Sequence, residues 1–369
     1  MNEWERLDSA GFSLPFSDES VLLTEVIKSE NQISSTRLQA YVQNSFSFLN
    51  QGSGEFKVTG GVRATHWSFN GETNISPRAQ FFYRPLNWER DVTFKFSTGI
   101  YYQPPFYKEL RSPTGIVNPE IASQKSTHFV AGLSYDFNWA KISKKKFKLI
   151  SEIYYKKLDN LISYEIDNVR IRYAGINNAT GHVGGIDLRI NGEFVPGAES
   201  WINVSVLRAF ESLDDVDHQN FFVGDTTATF VNFVPRPTDR LFNLSMFFQD
   251  YLPGNNDFKM NLNLSFGTGL PFGVRGNNEV FRNTFNFKNY QRVDIGFAYQ
   301  LWDESKRASK PYHLFRWTQN SWLSLEVFNL LQIANVASNT WIQTVGNQQF
   351  AIPNFLTSRR INLKFRIDI

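Results

Sequence analysis

Five histidines, His66, His128, His182, His218 and His313, are scattered through a chain of 369 residues that holds no cysteine. A strand would bring two imidazoles to one metal through His-x-His, and a helix through His-x-x-x-His; neither spacing occurs. They read as surface histidines. Without a thiol there is no disulfide framework, no Cys-ligated metal and no sulfur nucleophile. No nucleophile elbow or Walker loop is present, and Gly267-Thr268-Gly269 lacks the third glycine of a dinucleotide fingerprint. No cofactor is implied, and an enzyme would have nothing to act with.

What remains is binding chemistry on loops. Asp214, Asp215 and Asp217, with Glu211 nearby, could offer oxygen ligands to Ca²⁺, but the glycine and closing glutamate of a calcium loop are missing, so a solvated acidic loop is the preferred reading. Tyr102, Phe106 and Tyr107, in the aromatic run from Tyr101, together with Trp341, could stack on a sugar or a chelate; packing at a rim explains them equally well. Lys141, Lys144, Lys145 and Lys146 form a basic turn suited to solvent and anionic headgroups.

The composition narrows the class of protein. Aromatic residues make up 16% of the chain, with 35 Phe, 14 Tyr and 9 Trp, more than a soluble core of this size ordinarily uses. No apolar run reaches the ~18 to 20 residues of a membrane-spanning helix. A net charge of +3 with both signs dispersed gives no basic stripe for nucleic acid. The first residues, Met1-Asn2-Glu3-Trp4-Glu5-Arg6, contain no export signal.

These side chains are carried by strands. Met260, Leu262, Leu264 and Phe266 alternate with Asn261, Asn263, Ser265 and Gly267, and Ile361, Leu363, Phe365, Ile367 and Ile369 alternate with Arg360, Asn362, Lys364, Arg366 and Asp368. A helical period is visible only around Glu19 to Glu30. The alternation predicts thirteen strands, near 33–50, 55–70, 75–86, 90–102, 125–140, 146–166, 179–194, 200–211, 238–251, 257–270, 288–302, 320–333 and 357–369. Many exceed the ~5 to 6 residues of a globular strand and reach the ~9 to 11 of a tilted membrane crossing. Aromatics near their ends, Tyr101, Tyr102, Trp139, Trp201, Trp302 and Trp322, suit interface girdles. Short connections alternate with long ones, as in a barrel with tight periplasmic turns and extended outer loops; the long turn from Asp303 to Thr318 breaks this rule. Arg189, Glu193, Lys364 and Arg366 are expected in the lumen, paired with one another.

The stretches Trp4-Glu5-Arg6-Leu7-Asp8-Ser9-Ala10-Gly11, Tyr101-Tyr102-Gln103-Pro104-Pro105-Phe106-Tyr107 and Leu325-Glu326-Val327-Phe328-Asn329-Leu330-Leu331 carry a resemblance. With Asn335-Val336-Ala337-Ser338 and Thr357-Ser358-Arg359-Arg360-Ile361-Asn362-Leu363, they resemble the C-terminal barrel of TonB-dependent outer-membrane receptors of the Bacteroidota type. The resemblance implies an all-β fold, an antiparallel transmembrane barrel present in part: thirteen strands of about 22 around a plugged lumen. Residues 1–32 would be an outer loop and 33–369 the barrel strands, with the plug and first strands outside this chain. It further implies ligand-gated uptake of a scarce nutrient, a siderophore, cobalamin, glycan or peptide. Outer-membrane lipid, the TonB–ExbB–ExbD system acting through the plug, and a surface lipoprotein are the implied partners. A surface adhesion or assembly component anchored by the same barrel is the alternative. The family usually ends on an aromatic residue, whereas this chain ends Arg366-Ile367-Asp368-Ile369. An open sheet of thirteen strands should leave two unpaired edges.

Overall fold

The computed structural model describes residues 2–13, 22–50, 52–167, 170–195, 198–220, 226–252, 255–274, 279–306, 309–310, 312–343 and 348–369. Thirteen strands form one continuous antiparallel sheet in which each pairs with its neighbour along the chain. They are Arg37–Asn50, Gly54–Trp67, Glu72–Arg84, Asp91–Gln103, Gln124–Asn138, Lys146–Asp167 and Arg170–Val195. Ala198–Leu213, Phe242–Leu252, Asn255–Gly267, Tyr290–Asp303, Asn320–Phe328 and Arg360–Asp368 complete the series. Val234–Pro235 adds a short rung beside Ala198–Leu213.

Every expected strand is present, with shifted ends that have local causes. The strand expected to reach 333 stops at Phe328, because Asn329 takes a left-handed φ of 52°. Its side chain then closes the bend, accepting from Ile333 N–H at 3.1 Å and donating to Ile333 O at 3.0 Å, which is how asparagine ends a strand. The strand expected from 179 begins at Arg170. Positive φ at Asn160 and Gly175 and three register shifts interrupt the alternation that would have revealed this outer extension. The apparent helical period at Glu19 to Glu30 is also overturned. Leu22–Ser34 is a strand paired with Asn2–Ser13, so ladder pairing overrides a local pattern in a segment expected to be a loop.

Registry carries one apolar face across the sheet: Phe46 faces Val58, Val58 faces Phe81, and Phe81 faces Phe96. Further along, Met246 faces Leu264, Leu264 faces Val293, and Leu325 faces Leu363. Away from the edges these side chains are exposed or half-buried, with Phe96 at 47% and Leu325 at 42% exposure. No second sheet packs on them among the described residues, as a soluble sandwich would require. An exposed belt of this extent fits hydrocarbon, not water.

Expected girdle residues divide between the faces. Trp201 stands opposite Asn191 and Phe247 on the polar face, beneath the Arg189 guanidinium at 5.6 Å. Trp322 stands opposite Gln300 and Arg366 with Lys259 over its ring at 4.5 Å, and Tyr101 lies under Arg78 at 4.9 Å. Those three are lumen residues, because strand parity decides the face whatever the side chain. The expected lumen charges meet other residues and not one another: Arg189 donates to Asn191, Glu193 meets Lys145 at 2.6 Å, and Arg366 meets Asp368 at 2.9 Å, because each reaches a neighbour on its own strand or on the adjacent turn.

The sheet is open, its edges Arg37–Asn50 and Arg360–Asp368 unpaired in the large sheet. Both edge strands run the same way, from the long-loop end to the short-turn end, so they cannot pair with each other in an antiparallel ladder. An odd number of further strands has to lie between them for an all-antiparallel barrel to close.

Candidate functional site: the outer loop face

The long-loop end holds the only clusters of fully buried apolar side chains found among the described residues. Trp67, Leu110, Ile121 and Ile162 form one; Leu158, Leu161, Ala179 and Leu213 form the other. The loop 104–123 owes its position to them and to backbone-reading polar side chains. Asn177 accepts from Ala122 N–H at 2.7 Å and donates to its carbonyl at 3.0 Å, imitating a strand partner. Asn70 donates to Ile121 O, Asn118 to Gly175 O, and the Glu72 carboxylate receives Ser123 N–H. Gly175, at φ +73°, lies so close to the loop that a Cβ would meet the Arg111 and Ser112 backbone at 2.5 Å. Asn335 performs the same service for the last loop, accepting from Gln291 N–H at 2.9 Å and donating to its carbonyl at 2.8 Å.

Glu211, considered with the acidic triplet as a source of calcium ligands, points elsewhere. It is fully buried, receives Arg282 Nε at 2.8 Å and faces Arg236 Nε at 3.2 Å; Arg282 also donates to Tyr164 O at 2.8 Å. This ion triad pins the 268–289 and 214–241 loops to the strand ends. Asp214, Asp215 and Asp217 are exposed, and no group of three metal-binding side chains gathers among the described residues.

His218 ties the same two loops. Its Nε2 accepts from Leu213 N–H at 2.9 Å and its Nδ1 lies 2.9 Å from Glu279 O, so the neutral ring with its proton on Nδ1 satisfies both. Burial holds its pKa below the usual 6.5, and the Arg282 charge acts in the same direction. The unfolded segment takes up a proton at a higher pH than the folded one. Stability is therefore intact above the ordinary histidine pKa and lost as pH falls through the depressed one. Acidification from about pH 7 to about pH 5 is expected to lower the protection factors at Leu213, Gln219 and Val280, each taken relative to the slower intrinsic exchange at the lower pH, and His218→Phe to remove that pH dependence.

The proposed ligand-binding aromatics fall in two places. Trp341 lines a small recess of about 100 Å³ with Phe272, Phe287, Pro237 and Asn283; Phe272 stacks on Phe287 at 4.3 Å. Tyr102 borders a larger recess of about 520 Å³ at the top of the polar face. Phe106 and Tyr107 lie exposed on the neighbouring loop, and neither lines these two recesses. The larger recess was missed from sequence. Its walls include Arg37, Arg63 and Arg78 beside Tyr101 and Gln103, with no carboxylate among its lining residues; Lys125 meets its edge but has the parity of the apolar face and pairs with Asp159 at 3.6 Å. Arg78 Nε is buried there with no hydrogen-bond partner. Alternating positions on five neighbouring strands converge on it, a pattern readable only once register is known.

An open sheet with a lipid-facing apolar belt, a polar concave face and one elaborated loop end defines an outer-membrane β-barrel protein. The family model described as TonB dependent receptor-like, beta-barrel, matches residues 2–330, and the chain belongs to that family. No curated relative matches. Among solved structures, the outer membrane transporter YddB from Escherichia coli is 12% identical with a TM-score of 0.61, covering 98% of this chain and 49% of its own. The ferric yersiniabactin uptake receptor FyuA from Yersinia pestis is 13% identical with a TM-score of 0.56, covering 100% and 50%. The copper transporter OprC is 13% identical with a TM-score of 0.55, covering 99% and 53%. At such identities the likeness is one of fold. This chain spans about half the length of these structures.

Proposed function

We propose that residues 33–369 form the C-terminal barrel wall, and residues 1–32 an outer extension, of a TonB-energised importer of a scarce, negatively charged nutrient. The cationic recess carries this reading: Arg37, Arg63 and Arg78 line it without a carboxylate, and the orphaned Arg78 donor is suited to an anionic oxygen. Tyr102 at its border, and Phe106 and Tyr107 on the neighbouring loop, would offer ring faces for capture, and Trp341 a further ring face in the separate small recess. TonB, ExbB and ExbD would act through a plug lying outside these residues, and a surface lipoprotein could hand the ligand over. The named cargo of the neighbours, a ferric siderophore and copper, gives the reading its transport class but not its ligand.

Cells expressing the intact receptor are expected to lose uptake of the supporting nutrient when the proton-motive force is dissipated. Arg78→Gln should weaken ligand binding about 10- to 100-fold, the factor that losing a charge-assisted hydrogen bond of about 1.5–3 kcal/mol implies. Surface level should not change. Uptake indifferent to both would favour a surface adhesion role for the same barrel.

A further inference from the structure

We propose that the long turn at the otherwise tightly connected end, residues 304–319, is a membrane anchor that lies in the periplasmic headgroup layer and recognises anionic phospholipid. The turn is built, not slack. Trp302 Nε1 donates to Thr318 O at 3.0 Å, Thr318 N–H to Phe315 O, Arg316 N–H to His313 O, and Gln319 N–H to Asp368 O. With its backbone occupied in this way, its shape does not depend on a partner.

The turn folds toward the lipid-facing side of the sheet. His313 stacks on the fully buried Trp302 with ring centroids 4.8 Å apart, and Phe315 lies 5.6 Å from Phe365. Phe365 stands opposite Leu323, and Leu323 opposite Tyr299, all on the apolar belt. The belt therefore continues onto the turn. Beyond that contact the turn leaves Tyr312 at 95%, Leu314 at 77% and Trp317 at 57% exposure. Three large side chains of this kind are costly in water, and amphipathic rings favour the headgroup boundary.

Charge completes the match. Among the described side chains of the turn, Lys310 and Arg316 stand against one carboxylate, Glu304, and cations beside a membrane gain from anionic headgroups. Two other turns at this end share the aromatic part of the pattern: the exposed Trp88 meets Phe94 edge-on, and the exposed Trp139 meets Phe147. Both partners lie on the belt face. Only the 304–319 turn adds an excursion long enough to lie along the leaflet.

The 369 residues hold no cysteine, so once any thiol elsewhere in the intact receptor is replaced by serine, a single introduced thiol reports one place. Leu314→Cys and Trp317→Cys, labelled with a polarity-sensitive dye in the intact receptor in nanodiscs, should lose emission to brominated phospholipid as Leu363→Cys on the belt does. They should resist aqueous iodide, and Asn263→Cys in the lumen should show no loss to brominated lipid. Lys310→Glu should reduce the lipid quenching in discs containing phosphatidylglycerol more than in discs of phosphatidylcholine alone. Quenching by iodide in place of lipid would mean that the turn is solvated. Quenching by neither would mean that protein covers it. Equal effects of Lys310→Glu in both lipids would remove the headgroup recognition. Each outcome is independent of whether the receptor imports anything.

Discussion

Glu211→Ala is expected to cost about 3 to 5 kcal/mol in the local stability of the outer loops, because it strands two arginines that the fold has taken out of water. Arg282 keeps only 2% of its side-chain surface exposed and Arg236 14%. Tyr164 O can still accept from Arg282, and the half-exposed Glu165 carboxylate lies 3.6 Å from it, but the buried carboxylate that stands between the two arginines is gone. Hydrogen exchange measured on the embedded receptor should show residues 209–219 and 279–284 losing protection together while the membrane strands keep theirs. Glu211→Leu combined with Arg236→Met and Arg282→Met should recover much of the loss, since replacing all three buried ions by apolar groups of similar volume removes their desolvation penalty. Undiminished protection in Glu211→Ala would mean that the triad does not hold the loops.

Leu264→Arg should impair assembly, whereas Asn263→Arg should be tolerated. A cation on the lipid face near mid-membrane costs roughly 2 to 4 kcal/mol. Leu264 stands between Met246 and Val293 on the apolar face, whereas Asn263 stands between Phe247 and Asp294 on the polar one, where an added guanidinium meets a carboxylate. The yield of folded protein in outer-membrane fractions, read by heat-modifiable gel mobility, distinguishes the two. Equal yields would reverse the assignment of faces.

The strands were legible because an antiparallel sheet wet on one side and oily on the other writes period two directly into the residues. Met260 to Gly267 shows this without interruption. Where the chain leaves the membrane, the signal weakens for a physical reason. The outer end of Lys146–Asp167 and Arg170–Val195 is shaped by Asn160, Gly175 and Asn177, whose partners are remote in sequence. Trp201 shows a different limit. Its place near a strand end suggested a girdle, yet its parity with Asn203 and Ser205, against Ile202, Val204 and Val206, already assigns it to the polar face. Glu211 was grouped with Asp214, Asp215 and Asp217 by nearness along the chain. Arg282, 71 residues away, takes that carboxylate instead. The cationic recess gathers Arg37, Arg63 and Arg78 from three strands, and only the registry brings them together.

Each ladder of the large sheet joins strands that follow one another along it. Growth by one hairpin at a time closes tight turns at one end and the long loops at the other, and because the entropy of closure rises slowly with loop length, each addition stays cheap and is templated by the edge before it. One junction cannot be made in this way. The edges at Arg37–Asn50 and Arg360–Asp368 come from opposite ends of the sheet, and a barrel is sealed only when strands bridge them. Sealing that seam is therefore the last event of assembly. For as long as the seam stands open the protein has two adhesive margins, and this is the interval in which an escort matters most.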